Sequence, residues 1–453
     1  MRHSEIAMLR HSAVVLIVIL TVACQMSQAG NWMQFRGPKG DAVVHEAIPT
    51  EWDADTNIRW KKGLAGEGWS APVVWEDRIY LTEAVMTAKP TGPEPPPRRL
   101  PDGRRRRRNN LGTARFRWEV KCLDAKSGDV IWTRTTREGK PPQGRHLQNS
   151  YATETPVTDG QHVYAYFGMN GLYCFDMDGN PVWNKDLGNF EMRHDWGTAS
   201  SPILFDGLLY LQIDSQEQSF VVALDAATGD EVWRTDRDEP SHYSSPIVWK
   251  NSVRTEIVTC GRSARSYDAS TGKLLWEMFL EGGRSSATPL AVGDRVFIGS
   301  EVRNRGGDDD GGGYLFAVGA GASGNITTDS EYVIWTRPKS GLQMASPVLC
   351  EGHLYVFERR RGVLHCINAE TGEMVYEKRV RGARAFWSSP WVHKDRVYCI
   401  DDDGVTHVFQ GGSEYQVVRT NRLNEQVWST PAFGDGSLFV RTTKALYCIG
   451  PKS

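Results

Sequence analysis

The chain of 453 residues has eight cysteines, but no two are adjacent and no Cys-x-x-Cys occurs. That spacing argues against structural zinc, and the missing Cys-x-x-Cys-His excludes an attached c-type haem. Charge of one sign is also lacking. With 53 Lys and Arg against 55 Asp and Glu, the net charge of −2 excludes a globally basic nucleic-acid binder. The longest apolar run, Ala13 to Ala23, falls well short of the ~20 residues a membrane helix needs. At 40% hydrophobic and 24% charged, the chain is neither disordered nor polytopic. What it has in excess is glycine (45) and tryptophan (16), the composition of many short strands joined by tight turns.

Arg2, Arg10, the apolar run and Ser27-Gln28-Ala29 predict an export signal over residues 1–29. Residues 30–453 then form one exported domain, periplasmic or associated with the cell envelope, with no transmembrane span. Thr21-Val22-Ala23-Cys24 loosely resembles a lipoprotein signal, with Thr where Leu is usual, so a lipid on Cys24 is the alternative.

The chain repeats itself. A start, usually Ser-x-Pro, recurs with proline at 72, 156, 202, 246, 289, 347, 390 and 431. Examples are Trp69-Ser70-Ala71-Pro72 and Trp387-Ser388-Ser389-Pro390. An end, Asp-Ala-x-Thr-Gly-x-x-x-Trp, runs from Asp124 to Trp132, Asp225 to Trp233 and Asp268 to Trp276. Asn368 to Tyr376 is a variant, and Asp176 to Trp183 a looser copy. Most starts lie 41–46 residues apart, with two longer intervals of 84 and 58. Between start and end, Asp206-Gly207, Gly293-Asp294 and similar pairs mark hairpins. Four short strands every 40–45 residues is the pattern of a propeller blade. Cys122, Cys174, Cys366 and Cys448 fall in the same slot of four repeats, too far apart for disulfides and suited to buried small side chains.

Eight starts predict an all-β, eight-bladed propeller of four-stranded antiparallel blades. The eighth repeat ends at Leu446–Gly450 without a tryptophan strand, and Asn57-Ile58-Arg59-Trp60 supplies the missing piece. An N-terminal strand completing the last blade closes the ring.

The Ser-x-Pro start and Asp-Ala-x-Thr-Gly-x-x-x-Trp end resemble the pyrroloquinoline-quinone (PQQ) propeller repeat over nearly the whole exported chain. That family includes quinoprotein dehydrogenases of alcohols and sugars. It also has a non-enzymatic branch similar to the propeller lipoprotein of the outer-membrane β-barrel assembly machine. Asn31-Trp32-Met33-Gln34-Phe35-Arg36-Gly37-Pro38 is similar to the leader of exported propellers of planctomycete type. The resemblance implies, for its dehydrogenase branch, PQQ with calcium under a vicinal disulfide; this chain has no adjacent cysteines and lacks the long insertions that roof those sites.

The fold places the residues three before each proline around one mouth of the channel. Trp69, Tyr243, Trp387 and Trp428 there are candidates to contact a ligand or partner; the alternative is that they wedge between blades. Arg145, His146, Arg193 and Arg384 enter the same face as further contacts. Glu154, His194 and Asp195 are candidates for a general-base constellation, since a carboxylate can orient a histidine that titrates near neutrality; solvated rim charges are the alternative. Asp308, Asp309 and Asp310 in the blade 5 insertion are candidate calcium ligands, although their spacing lacks the alternation of a calcium loop.

Residues 89–117 form a disordered Pro- and Arg-rich insertion in blade 1. Ten basic and two acidic residues give it +8, leaving −11 on the rest of the exported chain once the +1 signal is set aside. Such an arm suits an acidic partner or an anionic surface; the alternative is a tolerated loop that folds back on its own acidic body. The expected protein is therefore a monomeric, non-enzymatic envelope scaffold that binds a protein through its funnel face and cationic loop, with no cofactor and no specific nucleic acid. A PQQ-dependent dehydrogenase, and a hydrolase or lyase acting on polysaccharide, are the alternatives.

Overall fold

In each Asp-Ala-x-Thr-Gly segment the aspartate folds its own turn. Asp124 Oδ1 accepts from the N–H groups of Lys126 (2.9 Å) and Ser127 (2.7 Å), and Gly128 N–H returns to Asp124 O at 2.8 Å. The chain is thereby reversed, and the next residues pair antiparallel with the strand before the turn. Repetition of this hairpin builds the molecule. The computed structural model describes residues 30–94, 96–99, 105–106, 109–280, 286–301, 313–359 and 361–451. Cys24 with the export signal, and Asp308, Asp309 and Asp310, lie outside the described residues.

Eight four-stranded antiparallel blades are present, each running from the proline-start strand at the channel to an outer strand that carries a tryptophan in blades 1–5 and 8, Tyr376 in blade 6 and no aromatic in blade 7. In blade 1 these are Val73–Trp75, Arg78–Ala88, Arg115–Asp124 and Val130–Gly139. Ile58–Gly63 completes blade 8 as expected, pairing Ile58 with Ile449, Trp60 with Cys448 and Gly63 with Ala445. Two blades carry a fifth strand that the repeats do not announce. Val43–Val44 lies parallel to the inner strand Trp391–His393 of blade 7, and Gly324–Asn325 parallel to the outer strand Leu274–Phe279 of blade 4.

Blades are joined through the terminal tryptophans. The indole N–H groups of Trp60, Trp132, Trp183 and Trp233 each donate at 3.0 Å to a turn carbonyl of the next blade, at Ala125, Met177, Ala226 and Ala269. Trp335 does the same to Ala369 at 3.1 Å. Trp276 departs from the series: its N–H donates to Glu256 Oε2 of its own blade at 2.9 Å, where Gly324–Asn325 covers its strand. The cysteine slot now has a cause. Cys122, Cys174, Cys366 and Cys448 pair across the ladder with Trp132, Trp183, Tyr376 and Trp60, so a small side chain must sit beside each large ring. All seven described cysteines are buried free thiols, and burial pushes that of Cys122 up to about 12.

The blade 1 insertion is tied at both ends. Thr91 N–H donates to Thr113 Oγ1 at 3.0 Å, Asn110 Nδ2 to Gly92 O at 3.0 Å, and Arg98–Arg99 pairs with Arg105–Arg106. Among the described residues no helix is long and apolar enough to cross a membrane.

Candidate functional site

The residue before each start proline faces the channel, where its backbone N–H has no strand partner. In six of the eight blades a hydroxyl from the next blade satisfies it; for blade 8 the neighbouring residue is Ala71, which has none. Ala71 N–H donates to Thr155 Oγ1 at 3.0 Å, Thr155 to Ser201 Oγ at 2.9 Å, and Ser201 to Ser245 Oγ at 2.9 Å. Thr288, Ser346 and Ser389 continue the ring through Ser346, Ser389 and Thr430, each at 3.0 Å. The Ser/Thr preference beside the proline is thus an inter-blade weld, a role the sequence pattern alone did not reveal.

Two residues above this weld, the channel widens into a funnel of about 310 Å³ lined by all eight residues three before the prolines. Trp69, Tyr243, Trp387 and Trp428 are therefore brought to one site. Trp428 meets the edge of Trp69 at 4.8 Å between ring centroids and lies 5.8 Å from Trp387. Across the mouth Trp196 stands 6.2 Å from Tyr243 and 5.9 Å from His146. The indole nitrogens of Trp69 and Trp428 are enclosed with no hydrogen-bond partner.

The funnel has a floor, and the chain's own leader supplies it. Trp32 exchanges both backbone hydrogen bonds with Val74 of blade 1 (2.8 and 3.0 Å), Met33 O accepts from Thr158 of blade 2 (3.0 Å), and Gln34 Oε1 from Leu204 of blade 3 (3.1 Å). Phe35 then faces up into the funnel. Arg36, fully buried, donates to Pro347 O of blade 6, and Val43–Val44 reaches blade 7. Burial lowers the Arg36 guanidinium to about 10, and its Nε and Nη1 have no partner. In sequence Asn31–Pro38 showed only as a stretch similar to the leader of exported propellers of planctomycete type, with no place in the ring.

Other sequence candidates are dispersed. His146 lines the funnel beside Gln148 and Asn149. Arg145 does not: it is 4% exposed, ion-paired with Glu67 and bonded to the carbonyls of His146 and Asn149, so it braces their loop. Arg193 lies on the rim with its N–H on Ser241 Oγ at 3.0 Å. Arg384 projects from the rim, paired at 3.0 Å with both Asp402 and Asp403 of a tight acidic turn. His194 and Asp195 share a left-handed rim turn, with φ of 58° and 53°. Glu154 is enclosed behind the lining beside Thr198 rather than pointing into the channel, and burial pushes its carboxyl up to about 7. The structure thus puts Glu154 in the wall while His194 and Asp195 stand on the rim.

Residues that sequence reasoning missed include Gln148, Asn149, Glu301 and Arg359. The Arg359 guanidinium lies 5.5 Å over the Trp387 ring. These sit in loops of irregular length, where the repeat gives no register. A buried ionic cluster behind Tyr243 was also missed. Arg237 Nε is 2.9 Å from Asp214, Arg265 pairs with Glu239, and His242 Nε2 is 3.6 Å from Glu239. Burial, against the pull of Arg237, pushes Asp214 up to about 6.

A calcium–quinone centre requires several oxygen ligands, carboxylates among them, at one point. The described funnel lining offers one carboxylate, Glu301, and among the described residues no three His, Cys, Asp or Glu side chains converge. These residues do not make that cradle.

Comparison with known proteins agrees with this architecture. Over 294 residues the chain is 25% identical to tetrathionate hydrolase of Acidithiobacillus ferrooxidans, covering 58% of this chain and 52% of that protein. Over 181 residues it is 23% identical to outer membrane protein assembly factor BamB of Moranella endobia, covering 40% and 42%. The chain thus matches about half or less of the length of either relative. Among solved structures, a europium-containing methanol dehydrogenase aligns with a TM-score of 0.59 at 11% identity, covering 91% of this chain and 89% of that one. BamB from Moraxella catarrhalis aligns at 0.51 and 13%, covering 73% and 88%. At such identities the likeness is one of fold. The family model described as outer membrane protein assembly factor BamB matches residues 117–300 and 325–413, more than half of the sequence, and the chain belongs to that family of PQQ-like propellers.

Proposed function

We propose that this protein is an exported, non-enzymatic scaffold of the cell envelope that binds another protein with the loops around its funnel and with the cationic insertion of blade 1. One observation carries the reading: the loop face is a pre-organised aromatic socket with a closed base. Asn149 Nδ2 donates to the carbonyls of Trp196 (2.8 Å) and Thr198 (3.1 Å), and Thr153 Oγ1 to Asn149 Oδ1 (2.6 Å), so the loops of blades 2 and 3 hold each other before any partner arrives. Loops already ordered lose less freedom on binding. Membership of the assembly-factor family supports an envelope partner. The +8 insertion beside this face suits an acidic one.

The test is photo-crosslinking in intact cells from His146 and Arg384 on the rim, with Val232 on an outer strand as the control. A discrete adduct with one envelope protein from the rim positions alone is expected. Equal labelling from Val232 would refute it. So would turnover by the purified chain, either of alcohols or sugars with added PQQ and calcium, or of tetrathionate, the substrate named for the Acidithiobacillus relative.

A further inference from the structure

We propose that the interior of the funnel is a binding site for a neutral saccharide of one or two rings. This goes beyond the scaffold reading, in which the loops around the funnel and the blade 1 insertion take a protein.

The cavity of about 310 Å³ lies at the small end of ligand pockets. Its wall has two chemical halves. Blades 7, 8 and 1 contribute the aromatic arc Trp387, Trp428 and Trp69, with Phe35 beneath, while blade 2 contributes the amide of Gln148, the polar groups of Asn149 and Thr153 being engaged with each other and with the blade 3 loop. A sugar ring has the matching duality, with C–H faces that pack on aromatic rings and an equator of hydroxyls that bond amides. Among the described lining residues charge is sparse and balanced, one carboxylate in Glu301 against one guanidinium in Arg359, which favours an uncharged ligand over a polyanion or a tricarboxylate.

Two donors ask for acceptors. The enclosed indole N–H groups of Trp69 and Trp428 have no partner, and a buried donor left unbonded is costly. Both nitrogens are closed off as the rings stand, so a sugar oxygen bonds them when Trp69 and Trp428 part on binding. The junction indoles of Trp60 and Trp233 find carbonyls; the other buried indoles without a partner include those of Trp32, Trp52 and Trp391, which lie outside the funnel lining.

The experiment titrates the full exported chain with cellobiose and with N,N′-diacetylchitobiose, followed by tryptophan fluorescence and calorimetry. Saturable binding of at least one is expected. Trp428→Ala should weaken it about tenfold, and Trp428→Phe, which keeps a ring and removes the donor, about threefold. Gln148→Ala, on an exposed loop residue, should weaken it without lowering the melting temperature, and it serves if Trp428→Ala fails to fold. Absence of saturable binding by either sugar to a chain with a native melting transition would overturn the proposal. So would binding unaffected by Trp428→Phe and Gln148→Ala. Rim crosslinking to a protein partner would stand in either event, so the two readings fail separately.

Discussion

Two glycines with nearly the same backbone separate turn geometry from blade docking. Gly207 has φ of 74° and Gly229 of 76°. A methyl built on Gly207 meets no heavy atom within 4 Å, whereas on Gly229 it lies 2.7 Å from Cε3 and 2.8 Å from Cδ2 of Trp183. The Trp183 ring cannot retreat freely, because its N–H holds Ala226 O at 3.0 Å. For Gly207→Ala the left-handed backbone alone costs roughly 1–2 kcal/mol. For Gly229→Ala a forced contact with the ring adds roughly 1–3 kcal/mol, making about 2–5 in total. Equilibrium urea unfolding of both variants should show the midpoint of Gly229→Ala falling further at an unchanged slope. Asparagine tolerates positive φ, so Gly207→Asn should recover much of its loss while Gly229→Asn should not. Equal losses at the two positions would refute the claim that tryptophan docking on the turn joins the blades.

Burial raises the Glu154 carboxyl from its ordinary 4.5 to about 7, so the protonated form is favoured by folding. That stability is present below the ordinary range and lost as pH rises through about 7; Glu154→Gln should remove the loss, gaining up to about 3 kcal/mol over wild type in mild alkali. Parallel stability–pH curves for the two proteins would contradict this. Trp60→Ala removes the latch indole from Ala125 O and the blade 8–blade 1 junction, and should cost about 3 kcal/mol with faster proteolysis near residues 57–63. A variant with unchanged cleavage would show that the ring closes without it. Arg36→Met exchanges a buried, largely unpaired charge for an apolar chain, and its unfolding midpoint should not fall. A drop of more than about 2 kcal/mol would mean the guanidinium has a structural role beyond its bond to Pro347.

The blades were legible because each is local. Asp124 to Trp132 contains its turn, its left-handed glycine and its outer aromatic within nine residues, and the same segment recurs. Closure was legible because the last repeat lacked a strand that Asn57–Trp60 could supply. Half of the funnel was legible for the same reason: a fixed offset from each proline put Trp69, Tyr243, Trp387 and Trp428 on one ring.

What could not be read depended on residues that obey no repeat. Arg145 and His146 are neighbours in sequence, yet one braces a loop and the other lines the funnel, because Glu67 and the Asn149 carbonyl pull the guanidinium inward. Glu154 occupies a position where other repeats have serine or alanine, and only the packing of Thr198 and Gly168 beside it turns the carboxyl into the wall. The leader is the largest case. Its contacts reach blades 1, 2, 3, 6 and 7, through partners as distant in sequence as Pro347 and Val392. Sequence alone determined the number of blades, their strand order and how the ring is latched, since those follow from short-range turn chemistry and alternation. Tertiary structure alone decided that the channel is closed at one end and which side chains reach the funnel, because loop ends from different blades meet there only once the ring has formed.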